Sequence, residues 1–327
     1  MRNLRISVTD KCNFRCTYCM PEDVFGFQYK FLPRQKILTF EEIARLVKLF
    51  VRLGVRKIRL TGGEPLLRQQ LDKLVSAIAK IPGIDDLALT TNAYFLREKV
   101  GLLRQAGLQR LTVSLDTLDG ELFRQLAGKH LNLEQVLDGL QAAVEAGFSP
   151  IKINSVIQRS VNAHEILNLV AFARDNGFIV RFIEYMDVGN LNGWKMAEVV
   201  PASEIVEVIS AKYPLAAVDK NYVSEVACRY RYLDGLGEIG VISSVSQPFC
   251  ATCTRARLSA DGRIFTCLFG TEGFDIKTPM REGANDEELL GLIENVWQKR
   301  TDRYSEERTR FTDLKPQRKV EMYQIGG

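Results

Sequence analysis

Short apolar runs rich in valine, isoleucine and leucine alternate with longer amphipathic stretches over the first 190 residues. The short runs have the length and composition of buried β-strands, and the longer stretches repeat their apolar residues with helical spacing. The predicted strands span 4–8, 56–61, 86–91, 110–115, 150–156 and 178–184. The predicted helices span 40–53, 68–81, 95–106, 131–146 and 163–176. Six successive β-α units of this kind are typical of a parallel sheet covered by helices.

Capping residues support the predicted helix ends. Thr39 precedes the first helix and Glu42 follows three residues later, which is the pattern of a capping box. Four helices are followed by a glycine, which accepts the left-handed backbone common after helix C-termini. These glycines are Gly54, Gly107, Gly147 and Gly177. Right-handed crossovers can arrange such units as an open sheet or as a partial barrel, and either places binding residues at the carboxyl ends of the strands.

The unusual residues of this half of the chain follow the predicted strands. They are the cysteine-rich loop after strand 1, Thr61-Gly62-Gly63-Glu64-Pro65 after strand 2, Thr90-Thr91-Asn92 on strand 3, Ser114-Leu115-Asp116 on strand 4, Lys152 and Asn154 on strand 5, and Glu184-Tyr185-Met186 after strand 6. Most of these positions lie at strand carboxyl ends, so we expect them to meet at one rim of the sheet.

The β-α alternation stops near residue 190. Predicted helices at 202–212 and 285–299 flank a strand-rich stretch that includes 238–245 and a hairpin turning at Asp261-Gly262, between 256–260 and 263–267. We therefore predict an α/β protein of two parts. Residues 1–190 form a partial (β/α)6 TIM-like barrel, and residues 191–327 form a C-terminal α+β region that closes its open side.

The composition is that of a globular protein, with 46% hydrophobic and 26% charged residues among 327. No apolar run approaches the roughly 18 residues of a transmembrane helix, and the N-terminus reaches its first cysteine by residue 12, which leaves no room for a signal peptide. The net charge of +4 is not gathered into a basic stripe. We expect a cytoplasmic protein that binds neither membrane nor nucleic acid.

Seven cysteines in a cytoplasmic chain favour metal binding over disulfides. Cys12, Cys16 and Cys19 have the spacing C-x3-C-x2-C with no fourth cysteine nearby. Three thiolates leave a [4Fe-4S] cluster one ligand short, and an open coordination position is where chemistry can occur. A structural zinc site or a ferredoxin cluster would use other spacings and a fourth ligand. The two histidines, His130 and His164, lie far from any cysteine in the sequence, and we expect them on helix surfaces.

This first triad resembles that of the radical S-adenosylmethionine enzymes. In that superfamily three thiolates hold the cluster and S-adenosylmethionine chelates the fourth iron. The resemblance implies reductive cleavage of S-adenosylmethionine to a 5'-deoxyadenosyl radical that abstracts hydrogen from the substrate.

A second triad, Cys250, Cys253 and Cys267, has the spacing C-x2-C-x13-C. A second open [4Fe-4S] cluster is one interpretation. A four-cysteine zinc site with Cys228 as the fourth ligand is the alternative, although Cys228 is also well explained as a buried thiol.

The two triads, the segment Pro-Phe-Cys-Ala-Thr-Cys-Thr-Arg-Ala-Arg-Leu at 248–258 and the terminal Gly326-Gly327 together resemble the GTP 3',8-cyclase family over essentially the whole chain. Other twin-cluster families, which modify peptides or sulfatases, carry more than the four cysteines of this C-terminal region. The resemblance implies two [4Fe-4S] clusters, with Cys12, Cys16 and Cys19 on the first and Cys250, Cys253 and Cys267 on the second. It also implies that the Gly-Gly tail reaches into the active site.

The same resemblance implies the binding residues. Those for S-adenosylmethionine are Tyr18, Gly63, Ser114 and Met186, and those for GTP are Arg5, Arg59, Thr90, Lys152, Arg255, Ala256 and Arg257. Arginine forks suit phosphate oxygens, and a charge midway along a strand that helices cover needs an anionic partner inside. Because the chain has no Walker loop, we expect the triphosphate to serve for binding and not to be hydrolysed.

The implied reaction converts GTP to (8S)-3',8-cyclo-7,8-dihydroguanosine 5'-triphosphate, the first step of molybdenum cofactor biosynthesis. Hydrogen would leave ribose C3', and C3' would then join guanine C8. The alternative is a twin-cluster radical enzyme that acts on a peptide or another nucleotide. The resemblance further implies an electron donor, functional coupling to cyclic pyranopterin monophosphate synthase, and a homodimer.

Overall fold

The computed structural model describes residues 1–222, 224–311 and 319–326. Its strands are β1 (Asn3–Ser7), β2 (Lys57–Thr61), β3 (Asp86–Thr91), β4 (Arg110–Ser114), β5 (Lys152–Ile157), β6 (Ile179–Glu184), β7 (Leu215–Val218), β8 (Cys228–Tyr232), β9 (Glu238–Ile242), β10 (Arg255–Leu258), β11 (Arg263–Phe265) and β12 (Phe274–Asp275).

Helices connect the first six strands and continue into the C-terminal region. They are α1 (Phe40–Arg52), α2 (Leu71–Ala79), α3 (Val100–Gln105), α4 (Gly120–Ala127), α5 (Leu133–Glu145), α6 (Ile166–Asp175), α7 (Ala202–Lys212), α8 (Lys277–Arg281), α9 (Asp286–Gln298), α10 (Tyr304–Phe311) and α11 (Met322–Ile325). Short 3-10 helices span Arg34–Lys36, Pro65–Leu67, Ala163–Glu165, Met196–Glu198 and Cys250–Thr252.

Strands β1 to β6 lie side by side in chain order, all parallel. This arrangement confirms the predicted β-α units. The C-terminal region extends the sheet at both edges, because β10 pairs in parallel with β1 and β9 pairs in parallel with β6. The hairpin of β10 and β11 confirms the predicted turn, with Gly262 at φ 81°. The C-terminal region therefore extends the partial barrel by supplying strands to both of its edges.

Alternation along the strands separates an outer apolar face from a polar interior. On β1 and β2, Leu4, Ile6, Ile58 and Leu60 are fully buried in the main hydrophobic core, whereas Arg5 and Arg59 occupy the alternate positions. In a parallel strand the side chains on one face repeat every second residue. The same period places Asn154 and Arg181 on the interior faces of β5 and β6. The barrel interior is thus lined by charged and polar side chains.

The helix ends agree with the predicted capping at some positions and differ from the predictions at others. Thr39 and Glu42 form the predicted capping box at the start of α1. Helix α2 begins later than predicted because Gln70 takes the left-handed conformation, with φ 58°. Helix α4 was not predicted, and Asp119 caps it by accepting a hydrogen bond from the Leu122 N–H at 2.7 Å. His130 lies in an exposed turn outside any helix, and His164 is exposed in a 3-10 helix.

In the described part of the chain, no helix combines the length and apolarity needed to cross a membrane.

Candidate active site

The first cysteine triad lies in the loop after β1 and lines a cavity at the carboxyl ends of the strands, hereafter the first cavity. The loop is held by its own backbone, since the Cys19 N–H donates to the Cys16 carbonyl at 2.9 Å. Burial raises the pKa of the Cys12 thiol to about 12. Burial and the neighbouring Cys19 and Cys12 raise the pKa of Cys16. The three half-buried thiols thus oppose one another's ionisation.

The turn after β2 packs directly against this loop. The Gly63 N–H donates to the Thr9 carbonyl at 2.9 Å, and the Glu64 N–H donates to the Lys11 carbonyl at 2.7 Å. A side chain at Gly63 would collide with the Lys11 backbone. The glycine is therefore required by the close packing of the turn on the cysteine loop.

Glu64 is a buried acceptor that ties this turn to the end of β3. Its carboxylate accepts hydrogen bonds from the Leu66 N–H at 2.9 Å, the Thr91 hydroxyl at 2.7 Å and the Asn92 N–H at 2.7 Å. Burial raises the pKa of Glu64 to about 7. Sequence reasoning assigned Glu64 no such role; the available signal was a charged residue directly after a buried strand.

A second buried carboxylate anchors the cysteine loop from the far side of the cavity. Asp116 accepts hydrogen bonds from the Tyr18 hydroxyl at 2.7 Å and from the Val156 N–H at 2.8 Å. Burial raises the pKa of Asp116 to about 6. All four residues predicted to bind S-adenosylmethionine line the first cavity: Tyr18, Gly63, Ser114 and Met186.

The second triad lines an adjoining cavity, the second cavity, together with five of the residues predicted to bind GTP. These are Arg5, Arg59, Thr90, Arg255 and Arg257. Burial acts to raise the pKa of Cys253, but the charge and hydrogen bonds of Arg255 hold it below its ordinary value. Burial raises the pKa of Cys267 to about 11. The second triad thus lies beside fixed positive charge.

The cysteine thiols are not gathered around one point. Among the described residues, no three histidine, cysteine, aspartate or glutamate side chains are placed to hold one metal ion. A single zinc ion needs its ligands gathered around one point, whereas in an iron–sulfur cluster the thiolates are bound to different irons. Cys228, the other zinc ligand considered, is half-buried on β8 opposite Val241, and the described lining of the second cavity does not include it.

The cations of the barrel interior are buried together. Arg59 donates to the Thr90 and Thr112 hydroxyls, both at 2.9 Å. Burial and then the charge of Arg59 lower the pKa of Arg181. Burial and the charges of Arg257 and Arg255 lower the pKa of Arg5. Since a guanidinium remains charged in proteins, such a cluster favours an anion of several charges.

Arg181 was not predicted from the sequence, because an arginine on a strand carries no local signal. It lines the second cavity and also a smaller third cavity at the amino ends of the strands. Lys152 lines this third cavity and is absent from the described lining of the second. Burial, followed by repulsion from Arg181, lowers the pKa of Lys152 to about 8. Arg59 and Arg181 line both the second and the third cavity.

Two predicted GTP residues, Ala256 and Arg257, are neighbours on β10. Ala256 is fully buried on β10 opposite Leu4, on the face turned to the helices. Arg257 donates hydrogen bonds to the Ile325 and Gly326 carbonyls. A side chain at Gly326 would meet Thr61 at the end of β2, so the tail up to Gly326 lies against the strands of the site. Gly327 is outside the described residues.

Four residues line both the first and the second cavity. They are Thr90, Asn154, Ile183 and Met186. The two cysteine triads therefore face one continuous interior, with the cation cluster on the side of the second triad. A ligand in the second cavity would lie against a ligand in the first.

Two family models match successive parts of the chain. The family model of the radical SAM superfamily matches residues 6–173. The model described as Molybdenum Cofactor Synthesis C matches residues 178–306.

Individual relatives match over nearly the full length. A GTP 3',8-cyclase from Acidothermus cellulolyticus is 54% identical over 317 residues, which cover 96% of this chain and 88% of that protein. A GTP 3',8-cyclase from Staphylococcus carnosus is 46% identical over 329 residues, covering 100% and 96%. The crystal structure of Streptococcus suis SuiB bound to S-adenosylmethionine superposes with a TM-score of 0.61 at 16% identity, covering 89% of this chain and 67% of that one. This last likeness shows the fold alone.

Proposed function

Because this chain belongs to the GTP 3',8-cyclase family of the radical S-adenosylmethionine superfamily, we propose that it converts GTP to (8S)-3',8-cyclo-7,8-dihydroguanosine 5'-triphosphate, the first step of molybdenum cofactor biosynthesis. The observation that carries this proposal is the continuous interior between the two cysteine triads. A radical generated beside the first triad then has direct access to a nucleotide held beside the second.

We assign the cofactor to the first cavity and a second cluster to the second cavity. Cys12, Cys16 and Cys19 hold a [4Fe-4S] cluster, and Tyr18, Gly63, Ser114 and Met186 surround S-adenosylmethionine. When bound there, these groups supply the hydrogen-abstracting radical. A second [4Fe-4S] cluster is held by Cys250, Cys253 and Cys267. Residues 1–190 form the radical S-adenosylmethionine barrel, and residues 191–327 supply the second cluster and part of the substrate site.

The protein's own residues bind and orient the nucleotide. The guanidinium groups of Arg5, Arg59, Arg255 and Arg257 supply charge for the triphosphate, and Lys152 extends this charge into the third cavity. Thr90 and the Ala256 backbone complete the predicted contacts. With its phosphates on the cations and its base near the second triad, the sugar would lie at the wall shared with the first cavity. The chain contributes to the rate by orientation: it would hold ribose C3' toward the source of the radical and guanine C8 toward C3'.

The tail and the neighbouring loops keep water from the reacting atoms. The described tail residues lie against Thr61 and Arg257, so they cover the interior where a radical intermediate would react with stray hydrogen donors. We further propose a cytoplasmic enzyme that takes electrons from a separate donor, passes its product to cyclic pyranopterin monophosphate synthase and forms a homodimer.

Anaerobic incubation of the cluster-loaded protein with GTP, S-adenosylmethionine and a reductant tests this function. The expected result is 5'-deoxyadenosine together with the cyclised nucleotide, identified by mass spectrometry. A matched reaction with ATP should yield neither above background. Deoxyadenosine formed at the same rate with and without GTP would contradict the substrate assignment.

A further inference from the structure

Asn154 lies at the boundary between the first and second cavities. In the register of the parallel sheet it stands between Ser114 on β4 and Arg181 on β6. Of these neighbours, Ser114 lines the first cavity and Arg181 lines the second. Asn154 lines both. The Asn154 side chain is therefore placed where ligands of the two cavities meet.

The amide of Asn154 has hydrogen-bonding capacity that the described protein leaves unused. Its Oδ1 is buried and has no hydrogen-bond partner among the described residues. Buried polar atoms in native proteins are nearly always paired. The next residue, Ser155, also has a buried hydroxyl without a described partner, but strand alternation points it to the opposite face. Of these two residues, Asn154 is the one that presents its unpaired acceptor to the cavities.

The chemistry of this position suits a sugar hydroxyl. Three of the cations, Arg5, Arg255 and Arg257, lie on β1 and β10, away from β5 in the sheet, whereas Arg181 is the cation next to Asn154 on β6. Its other neighbours on the shared wall include the apolar side chains of Ile183 and Met186. A neutral amide, which both donates and accepts, pairs well with a hydroxyl group. The part of GTP that carries hydroxyls and must face the first cavity is the ribose.

We propose that Asn154 is a substrate-positioning residue that hydrogen-bonds a ribose hydroxyl of GTP and so fixes C3' toward the first cavity. This inference rests on the function proposed above, since it concerns how that substrate is held. The contact also provides selection for ribonucleotides. A deoxynucleotide that lacks the contacted hydroxyl would leave the amide unpaired in a buried position, which is costly.

The test compares the dissociation constants of GTP, 2'-deoxyGTP and 3'-deoxyGTP for the oxidised, cluster-loaded enzyme without reductant, where no turnover occurs. The wild-type enzyme should bind one deoxy analogue about three- to tenfold more weakly than GTP. In N154A, and in N154S as a second variant, this preference should disappear because GTP binding weakens and analogue binding does not. Under turnover, N154A should also release more deoxyadenosine per cyclised product.

S155A is the matched control, since it removes a buried hydroxyl from the same strand on the opposite face. It should retain the wild-type preference. If N154A and N154S keep the wild-type preference for GTP, or if they weaken only S-adenosylmethionine binding, the inference is wrong while the proposed function stands. If the wild-type enzyme does not bind GTP at all, the proposed function itself fails.

Discussion

The Asp187 carboxylate and the Arg308 guanidinium lie 2.8 Å apart, and both residues are buried. Asp187 follows Met186 in the loop after β6, whereas Arg308 belongs to α10. The same carboxylate accepts hydrogen bonds from the Lys319 ammonium at 2.8 Å and the Tyr304 hydroxyl at 2.5 Å. The Asp187 side chain thus joins the C-terminal segment, which contains α10 and Lys319, to the loop after β6. That loop carries Met186, a residue of the first cavity.

Replacement of Asp187 should loosen the C-terminal segment. In D187N, the buried Arg308 and the half-buried Lys319 would lose their carboxylate, and breaking a buried pair costs about 3 kcal/mol or more. We expect a lower midpoint in urea unfolding and faster proteolysis or hydrogen exchange in α10 and the tail, while the barrel strands stay protected.

D234N is the control for this prediction. Asp234 forms an ion pair with Arg174 at 2.5 Å, but half of its side chain is exposed to solvent. Exposed pairs contribute at most about 1 kcal/mol. Equal effects of D187N and D234N on unfolding would show that the buried cluster does not hold the C-terminal segment.

Much of the fold could be predicted because its signals are local. The Thr39 capping box and the Gly262 turn are set by residues within a few positions of each other. The edge pairings carry no such signal. Strand β10 lies parallel to β1, about 250 residues away in the chain. The four residues of β10 contain no pattern that predicts this pairing. Tertiary packing decides such pairing.

The site shows the same division between local and long-range information. Both cysteine triads were evident from spacing alone, and all six cysteines line the two connected cavities. Arg181 was missed, and Asn154 was expected at the rim without an assigned role, because a polar residue on a strand is informative only when its face is known to line the interior. The position of Lys152 in the third cavity likewise depends on how far along the barrel axis it lies.

The two triads should contribute equally to the iron content. Anaerobically prepared wild-type protein should contain about eight irons per chain, and C16A or C267S about four. The variants differ in chemistry: C16A should form no deoxyadenosine, whereas C267S should still cleave S-adenosylmethionine slowly without cyclising GTP. Iron and sulfide analysis with electron paramagnetic resonance checks this.

C228A serves as the control for metal content. Cys228 lies on β8 outside the described lining of either triad cavity, so C228A should keep the full iron content. Zinc in place of iron at the second triad, lost on C228A substitution, would overturn the assignment.

Triphosphate binding should depend on the protonation of Lys152, whose pKa is lowered to about 8 by burial and by neighbouring arginines. Only the protonated amine attracts phosphate, so GTP affinity should fall between pH 7.5 and 9, by at most about tenfold. The second ionisation of phosphate has a pKa of about 6, so it is nearly complete by pH 7.5 and contributes little in this range. Binding near pH 8.5 should take up protons, because phosphate raises the lysine pKa.

Calorimetry in two buffers of different ionisation enthalpy measures both the affinity and the proton uptake. K152R is the informative variant, since arginine stays charged across this range. Its GTP affinity should vary less with pH than that of the wild type. A pH profile unchanged in K152R would exclude Lys152 as the titrating group.

Arg181 gives a prediction in which stability and binding change in opposite directions. Its Nε is buried without a hydrogen-bond partner among the described residues, and its hydrogen bond to the Thr112 hydroxyl is long, at 3.4 Å. Burial and repulsion from Arg59 lower its pKa. Without ligand, this side chain is therefore an unfavourable buried charge, and R181M should leave the free protein equally or more stable.

With a triphosphate bound, the same charge becomes favourable, because charge-assisted hydrogen bonds contribute about 1.5–3 kcal/mol each. R181M should therefore weaken GTP binding by roughly 10- to 100-fold and leave guanosine binding unchanged. GTP should raise the melting temperature of the wild type more than that of R181M. R174M is the control, since Arg174 pairs with Asp234 and lines none of the three cavities as described. A structural role for Arg181 would instead lower the stability of the free protein and weaken GTP and guanosine binding alike.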